Sequence, residues 1–226
     1  MIQIIFQNDF FVICDKESGV LSTPSRFEDK DERCCLGTEL QDFLKVQIYP
    51  VHRLDFEVSG LVMYAKTAQA HRVANAWFEH KLVQKTYRAL TVAQDFAHIP
   101  AQIKNAREKI DLEVGKKFEW KSRILRGKKR SFESPQGKDS ITLAEYLGVN
   151  SEGLLMWDLQ PVTGRPHQLR YELSRHGFPI VGDVLYGSKR PWKDNAIALR
   201  SYAINFSGAP ERARFDLASD VKVTSL

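Results

Sequence analysis

Residues 51–65 read VHRLDFEVSGLVMYA. The second half of this stretch, GLVMYA at residues 60–65, is a short continuous apolar run, which is typical of a strand buried on both faces. The first half is polar and places a carboxylate, Asp55, between Arg53 and a Ser-Gly pair. Loops beside a buried strand are where a rigid scaffold presents functional side chains. Taken alone, the stretch leaves two interpretations open: Asp55 is the central group of a functional loop, or it only caps a turn and Arg53 is an ordinary surface charge.

Short strands and a few dispersed helices are predicted on either side of this stretch. The strands are predicted at residues 2–6, 10–14, 60–65, 86–93, 140–147, 154–161, 196–206 and 213–217. Helices are predicted at residues 38–46 with Thr38 as the N-cap, at residues 68–81, and from 165 or 166 to 176. Because strands dominate, the pattern favours an α+β fold with a central, mainly antiparallel mixed sheet flanked by helices and loops.

Composition and length bound the class of protein. The 226 residues are 43% hydrophobic and 27% charged, which is typical of a folded globular chain, and we expect one domain over residues 1–226. The net charge of +5 suits a polyanionic partner such as nucleic acid, although many soluble enzymes are as basic. The three cysteines have neither a disulfide framework nor zinc spacing. Without a signal segment or a membrane-spanning run, the protein is expected to be cytoplasmic, with no membrane or metal partner.

Two further segments carry clustered polar groups. KTYRA at residues 85–89 places Tyr87 in a predicted strand, where a tyrosine that only fills the core is the alternative. GRPHQLR at residues 164–170 gathers four hydrogen-bonding side chains at a predicted helix start: Arg165, His167, Gln168 and Arg170. Such donors near a helix N-terminus suit a phosphate-rich ligand. Taken alone, the segment is equally well read as a solvated basic helix face.

The three segments together resemble a known family. HRLDFEVSGL, KTYRA and GRPHQLR are similar, in this order, to the three signature motifs of RluA-type pseudouridine synthases. Three supporting segments also resemble that family: GVLSTPS at residues 19–25, GKDSIT at 137–142 and PIVGDVLYG at 179–187. The resemblance runs from about Val12 to Phe206 and so covers most of the chain. It implies a pseudouridine synthase catalytic domain that isomerises uridine in structured RNA without a cofactor or a metal.

The resemblance also implies roles for individual residues. Asp55 takes the place of the catalytic carboxylate, as a nucleophile or as the stabiliser of a glycal-forming step. Arg170 is implied to pair with Asp55 and keep it ionised. Tyr87 is implied to stack on the uracil and to serve proton transfer. The target base must leave its stack to be reached, and Arg53 resembles the arginine that fills the vacated space.

The remaining candidates are assigned to substrate binding more loosely. His52 is expected to shape the loop, while Arg165, His167 and Gln168 are expected to organise the site or touch phosphate. The run at residues 116–130 holds eight Lys or Arg residues with Phe118 and Trp120 among them. It is either an RNA-gripping hairpin or a solvated hairpin face. Since it lies far in sequence from the three motifs, we expect it to affect binding and not chemistry.

The sequence also departs from the family pattern. Val58 stands where the family usually has Thr, Glu17 where Pro often follows the early Lys, and Ile197 where His is usual. These changes leave the RNA substrate, ribosomal or transfer, undetermined. We expect a monomer, with no separate N-terminal RNA-binding domain because the motifs begin almost at residue 1.

Two other functional classes compete with this interpretation. One is an RNA-binding protein of the same fold without catalysis, which the presence of Asp55, Tyr87 and Arg170 disfavours. The other is a glycosidase that uses Asp55 and Glu57 as paired carboxylates. No further acidic motif supports that pairing.

Overall fold

A computed structural model describes residues 2–25, 31–103 and 108–226 of the chain. These residues divide into two compact units. The first unit contains the described residues through Lys85, together with Asp194–Ala196 and Ser201–Ser225; the second contains those of Thr86–Lys193, together with Ile197–Arg200. Eleven strands and three α-helices lie in the described ranges, and none of these helices is long and apolar enough to cross a bilayer.

The first unit is a sheet with two helices. Its elements are β1 (Gln3–Gln7), β2 (Phe11–Lys16), α1 (Leu36–Leu44), β3 (Tyr49–Pro50), β4 (Ser59–Ala65), α2 (Ala68–Glu79), most of β10 (Leu199–Asn205) and β11 (Asp220–Lys222). The strand order is β1-β2-β4-β10, with β3 on β4 and β11 on β10. Apolar side chains of β2 and β4 alternate into a core where Phe11, Met63 and Trp77 are almost fully buried, so both strands are fixed in register.

The second unit is an antiparallel sheet with one helix packed on it. Its elements are β5 (Gln84–Thr91), which begins at the end of the first unit, β6 (Lys117–Arg126), β7 (Ser131–Glu133), β8 (Lys138–Val149), β9 (Leu155–Pro161) and α3 (Gln168–Arg175). The order β5-β9-β8-β6-β7 makes β6 and β7 a hairpin at the edge. A 3-10 helix, Val184–Tyr186, follows α3.

The predicted α+β class with a mixed, mainly antiparallel sheet is confirmed. The strand predicted at residues 60–65 is β4, and the helix predicted at 68–81 is α2, which Thr67 caps by accepting a hydrogen bond from the Ala70 amide. The prediction of Thr38 as an N-cap is wrong. Helix α1 begins at Leu36, because Leu36 donates its amide to the Leu21 carbonyl and that contact fixes the entry of the chain.

Two other boundaries differ from the sequence prediction. Helix α3 begins at Gln168, because His167 takes a left-handed conformation with φ of 54° and a helix cannot run through it. The strand predicted at residues 213–217 is wrong. Residues Arg212–Phe215 form a 3-10 helix that turns the Phe215 ring onto Trp77, and the last strand, β11, comes afterwards. Burial of one aromatic ring outweighed the local strand preference.

Candidate active site

The Asp55 loop connects β3 to β4 and is a turn closed by its own backbone. The Val58 amide donates to the Asp55 carbonyl over 3.1 Å, and the Val51 amide donates to the Met63 carbonyl over 3.1 Å. Val58 itself is buried. Its side chain contributes no hydrogen bond to the turn, so the departure from Thr at this position leaves the turn intact.

A second segment, residues 16–22, holds this loop from one side. The Ser22 hydroxyl donates to the Leu54 carbonyl and accepts from the Leu54 amide, both over 3.0 Å. Ser22 is in turn fixed because its carbonyl accepts the Tyr64 hydroxyl at 2.7 Å. The Gly19 amide donates to the Phe56 carbonyl at 2.9 Å. The residues on both sides of Asp55 are therefore anchored to the same segment, which limits the conformations of the carboxylate.

A buried lysine lies beneath the loop. Lys16 is 1% exposed, and its ammonium donates to the carbonyls of Glu17, Val20 and Phe56 at 2.9, 2.7 and 3.4 Å. Burial lowers the pKa of Lys16 to about 8, while the negative charges of Asp55 and Glu57 oppose that shift. A positive charge thus lies close enough to Asp55 to interact with it electrostatically, and it also joins the two segments through hydrogen bonds.

His52 faces the interior of the first unit. Its Nε2 accepts the Met63 amide at 3.3 Å, and its ring stacks on Phe78 with centroids 5.0 Å apart. Burial, and to a lesser degree the charge of Lys85, lowers the pKa of His52 to about 3. The imidazole is neutral at physiological pH. These contacts support a role in shaping the loop and give His52 no cationic hold on phosphate.

Arg53, the next residue, is exposed. An exposed guanidinium beside Asp55 in sequence is accessible to RNA. Lys85 of the KTYRA segment is half-buried, with its ammonium 5.5 Å from the centroid of the Phe78 ring, and desolvation lowers its pKa to about 8.

Gly60 is the second residue of β4, where the Asp55 loop ends. Its φ of +112° is a conformation that glycine alone adopts without strain. A Cβ at this position would lie 2.1 Å from the Ser201 carbonyl oxygen. The glycine of the motif is therefore required by the close approach of two backbones.

In the second unit, Tyr87 lies in β5 and is almost fully buried, opposite Leu159 of β9. Its neighbour Arg88 forms an ion pair with Asp158, with Nε 2.8 Å from Oδ1. Backbone pairing with β9 and this ion pair therefore both hold the strand in place around Tyr87.

Arg170 lies on α3 and is 2% exposed. Its Nε and Nη2 donate to Oδ2 and Oδ1 of Asp183 at 2.7 and 2.8 Å, a two-point ion pair with a carboxylate that is itself 1% exposed. Asp183 was not singled out from the sequence, although it lies in the PIVGDVLYG segment. The implied pairing of Arg170 with Asp55 involves residues of different units and stays a prediction.

Gln168 has an organising position. Its Oε1 accepts from the Thr163 hydroxyl and the Arg165 amide at 2.8 and 3.0 Å, and its Nε2 donates to Ile141 and Thr142 oxygens at 3.0 and 2.9 Å. The amide is buried with its donors and acceptors engaged. Gln168 therefore ties the start of α3 to β8 and has no group left for phosphate.

Arg165 and His167 are both half-buried, next to this anchor. Arg165 Nε donates to the Asp139 carbonyl at 2.8 Å, and His167 Nδ1 lies 3.1 Å from the Tyr186 hydroxyl. Both remain candidates for phosphate contact.

The basic run at residues 116–130 forms β6 and the turn that follows it, and its charges divide into two groups. On the strand, Lys117 pairs with Glu145, Lys121 with Glu119 and Arg123 with Asp139. At the turn, Arg126, Lys128, Lys129 and Arg130 form what we call the basic tip, and within the described residues none of these four pairs with a carboxylate. The net positive charge of the hairpin is therefore concentrated at the tip.

The tip also lies beside the α3 motif. Ser131, the residue after it, donates its hydroxyl to the Pro166 carbonyl at 2.7 Å and its amide to the Tyr186 hydroxyl at 2.7 Å. The run is therefore close in space to the α3 motif although it is far from it in sequence. Sequence distance thus gives no support to the expectation that the run affects binding and not chemistry.

A family model described as RNA pseudouridylate synthase matches residues 10–175. The "Dual-specificity RNA pseudouridine synthase RluA" of Vibrio vulnificus strain CMCP6 is 30% identical over 185 residues, which cover 81% of this chain and 68% of that protein. The chain belongs to the RluA-type RNA pseudouridine synthases. An "Uncharacterized RNA pseudouridine synthase" of Helicobacter pylori strain 26695 is 33% identical, and the match covers 81% of this chain and 57% of that protein.

Solved structures show that the family fold is shared. "Human RNA Pseudouridylate Synthase Domain Containing 1" matches with a TM-score of 0.67 at 21% identity, over all of this chain and 83% of that one. "Human RNA Pseudouridylate Synthase Domain Containing 4" matches with a TM-score of 0.68 at 17% identity, over 99% of this chain and 88% of that one. As an RNA pseudouridine synthase, this chain is an isomerase that acts on RNA. The resemblance inferred from the three motifs is confirmed.

Proposed function

We propose that the protein isomerises specific uridines of structured ribosomal or transfer RNA, with Asp55 as the catalytic carboxylate. The observation that carries this proposal is the anchoring of the Asp55 loop. Ser22, Gly19 and Lys16 hold the residues around Asp55 from one segment, and a buried ammonium lies near the carboxylate. A loop that only capped a turn would not need a buried cation and a buried hydroxyl directed at its backbone.

The reaction rearranges one nucleotide without outside reagents. The bond from ribose C1′ to uracil N1 breaks, the uracil turns, and a bond from C1′ to C5 forms. The C5 proton is lost and N1 gains a proton, so atoms and charge balance. Asp55 supplies the negative charge beside C1′. We further propose that Tyr87 stacks on the uracil and that Arg170 orients Asp55.

RNA is held by groups outside this centre. Arg53 is exposed and suits phosphate or the space left by a flipped base. The four cations of the basic tip pair with no carboxylate of the described residues, so the tip suits phosphate. The similarity to a dual-specificity relative is compatible with either RNA class. We propose that the two units work as one catalytic domain, as a monomer in the cytoplasm.

The activity is tested by tritium release. RNA labelled with tritium at uracil C5 loses the label to water only when C5 forms the new glycosidic bond. The purified protein should release tritium from total RNA of a strain that lacks it, and mapping pseudouridines in that RNA before and after treatment identifies the position. No release from any RNA fraction would contradict the proposed activity.

The variant Asp55→Asn separates the synthase from a binding protein of the same fold. The amide keeps the shape of the side chain but removes its charge, so we expect tritium release to vanish while RNA binding persists. Glu57→Gln is the matched control. It removes the carboxylate two residues from Asp55, which a glycosidase with paired carboxylates would require. A near-normal rate in Asp55→Asn would overturn the catalytic assignment.

A further inference from the structure

Tyr186 lies between two parts of the second unit that the proposed function uses separately. It is fully buried in the 3-10 helix Val184–Tyr186, and its amide donates to the Asp183 carbonyl at 3.0 Å. Its own carbonyl accepts the Ser174 hydroxyl from α3 at 2.7 Å. The backbone of Tyr186 is therefore fixed both to the residue that pairs with Arg170 and to the helix that carries it.

The ring of Tyr186 faces Arg170. The guanidinium carbon of Arg170 lies 5.3 Å from the ring centroid, within the range of a cation–π contact. Asp183 holds the edge of the same guanidinium through Nε and Nη2. Arg170 is thus constrained by an ion pair and by an aromatic ring, which together leave its plane little freedom.

The hydroxyl of Tyr186, at the far end of the ring, contacts a different part of the second unit. It accepts the Ser131 amide at 2.7 Å and lies 3.1 Å from His167 Nδ1. Burial raises the pKa of Tyr186 to about 12, so the hydroxyl keeps its hydrogen at physiological pH. When it donates to Nδ1, a neutral His167 carries its proton on Nε2.

Ser131 is the first residue after the basic tip and is fully buried. The tip itself is a tight turn, closed by the Gly127 amide on the Arg130 carbonyl at 3.0 Å and by Arg126 Nη1 on the Lys129 carbonyl at 2.9 Å. Because the turn is closed, anchoring Ser131 sets the position of the whole tip.

We propose that Tyr186 is a positioning residue that holds Arg170 with its ring and the RNA-gripping basic tip with its hydroxyl. This inference rests on the proposed roles of Arg170 and the tip. It assigns the two halves of one side chain to two kinetic quantities: the ring to the rate of the bound complex, and the hydroxyl to the affinity for RNA.

The test is Tyr186→Phe, measured by tritium release over a range of RNA concentrations and by RNA binding at several salt concentrations, using total RNA from a strain that lacks the enzyme. The ring stays on Arg170, but the buried Ser131 amide loses its acceptor and the tip must shift. We expect KM to rise by about 3- to 10-fold, the value of one hydrogen bond, with a smaller fall in kcat and a shallower salt dependence of binding. Tyr146→Phe is the matched control, a buried tyrosine of β8 packed on Trp157, and should match the wild type.

A second variant, Tyr186→Leu, removes the ring as well and should lower kcat by about 100-fold, as a misplaced catalytic group does. Unchanged KM and salt dependence in Tyr186→Phe, or a fall in kcat without a rise in KM, would overturn the proposal. A folded Tyr186→Leu variant with normal kcat would do the same, and if that variant does not fold, Tyr186→Phe alone decides. Failure of the proposed function is distinguishable, since an active Asp55→Asn variant would reveal it while the binding measurements on Tyr186→Phe still test the tip.

Discussion

Arg170 and Asp183 form a two-point ion pair in which both side chains are almost fully buried. Two parallel hydrogen bonds fix the plane of the guanidinium as well as its position. A buried arginine without such a partner would be strongly unfavourable, because desolvation of an unpaired charge costs several kcal/mol. Asp183 therefore makes it possible for Arg170 to be both buried and charged.

Arg170→Lys should impair both rate and stability. Lysine keeps the charge but cannot bridge both oxygens of Asp183. We expect kcat to fall by at least about 100-fold and the free energy of unfolding by about 1–3 kcal/mol. Tritium release and urea unfolding check the two effects. Arg175→Lys on the same helix is the control, since Arg175 has no two-point ion pair: its Nη1 lies 3.8 Å from Glu133 Oε1 and 3.4 Å from the Lys121 carbonyl oxygen. A fully active Arg170→Lys variant would show that the planar fork is not needed.

Lys16→Met tests the support of the Asp55 loop. Methionine fills the same space but leaves three carbonyls without their donor and removes the charge near Asp55. We expect the free energy of unfolding to fall by about 1–3 kcal/mol and kcat to fall more than KM changes. Lys66→Met is the control, because Lys66 donates to one carbonyl, that of Asn8, in the same unit. Equal effects of the two variants on kcat would contradict a special role for Lys16.

Glu172→Gln tests the pH dependence of stability. Glu172 is fully buried on α3, its Oε1 accepts the Ser122 hydroxyl, and burial raises its pKa from 4.5 to about 7. Since the folded state binds the proton more tightly, the stability contributed by Glu172 is present below pH 4.5 and is lost as pH rises through 7. The neutral amide has no such dependence.

We therefore expect the unfolding free energy of Glu172→Gln, relative to the wild type, to rise by up to about 3 kcal/mol between pH 5 and pH 8. Denaturant unfolding of both proteins at each pH measures the difference. The nearby His176, with Nε2 3.9 Å from Glu172 Oε2, has a pKa that burial lowers to about 4, so its imidazole is neutral in the folded protein over this range. A constant difference across this range would mean that Glu172 is ionised normally.

Replacing Lys128, Lys129 and Arg130 together with Ala tests the basic tip. Each phosphate contact releases counterions, so the logarithm of the binding constant falls by about 0.7–0.9 per phosphate for each unit in the logarithm of salt concentration. The triple variant should bind more weakly and reduce this slope by up to about 2–3 units. Replacing Lys116, Lys117 and Lys121 removes the same charge from the strand half and should change the slope less, because Lys117 and Lys121 are already paired. Equal slopes in both variants would make the tip an ordinary solvated surface.

The motif segments could be predicted from sequence because each combines a local pattern with chemistry. The apolar run of β4 and the periodicity of α2 are local properties, and the order of three polar motifs identifies the family. The helix start at Leu36 and the 3-10 helix at Arg212–Phe215 were missed because contacts distant in sequence, to Leu21 and to Trp77, decide them.

Partners within the site were harder to predict than its members. Arg170 was named from its motif, but Asp183 was not, because an aspartate in a Gly-Asp turn is ordinary by sequence. The apposition of Ser131 and Tyr186 joins residues 55 positions apart and leaves no trace in either local pattern. The basic run divides into a strand paired with carboxylates and a tip without a carboxylate partner among the described residues. This division likewise depends in part on cross-strand register, which pairs Lys117 with Glu145.

The close approach of the Gly60 and Ser201 backbones affects how the motif is interpreted in related chains. Because a Cβ there would meet Ser201, the glycine is retained for as long as the two strands lie together, whether or not the chain is an enzyme. This close approach does not constrain Asp55, five residues earlier. A relative with another residue in place of the aspartate but with the glycine kept would have lost the reaction and retained the fold. Scoring the two positions separately in related sequences would identify such pseudoenzymes.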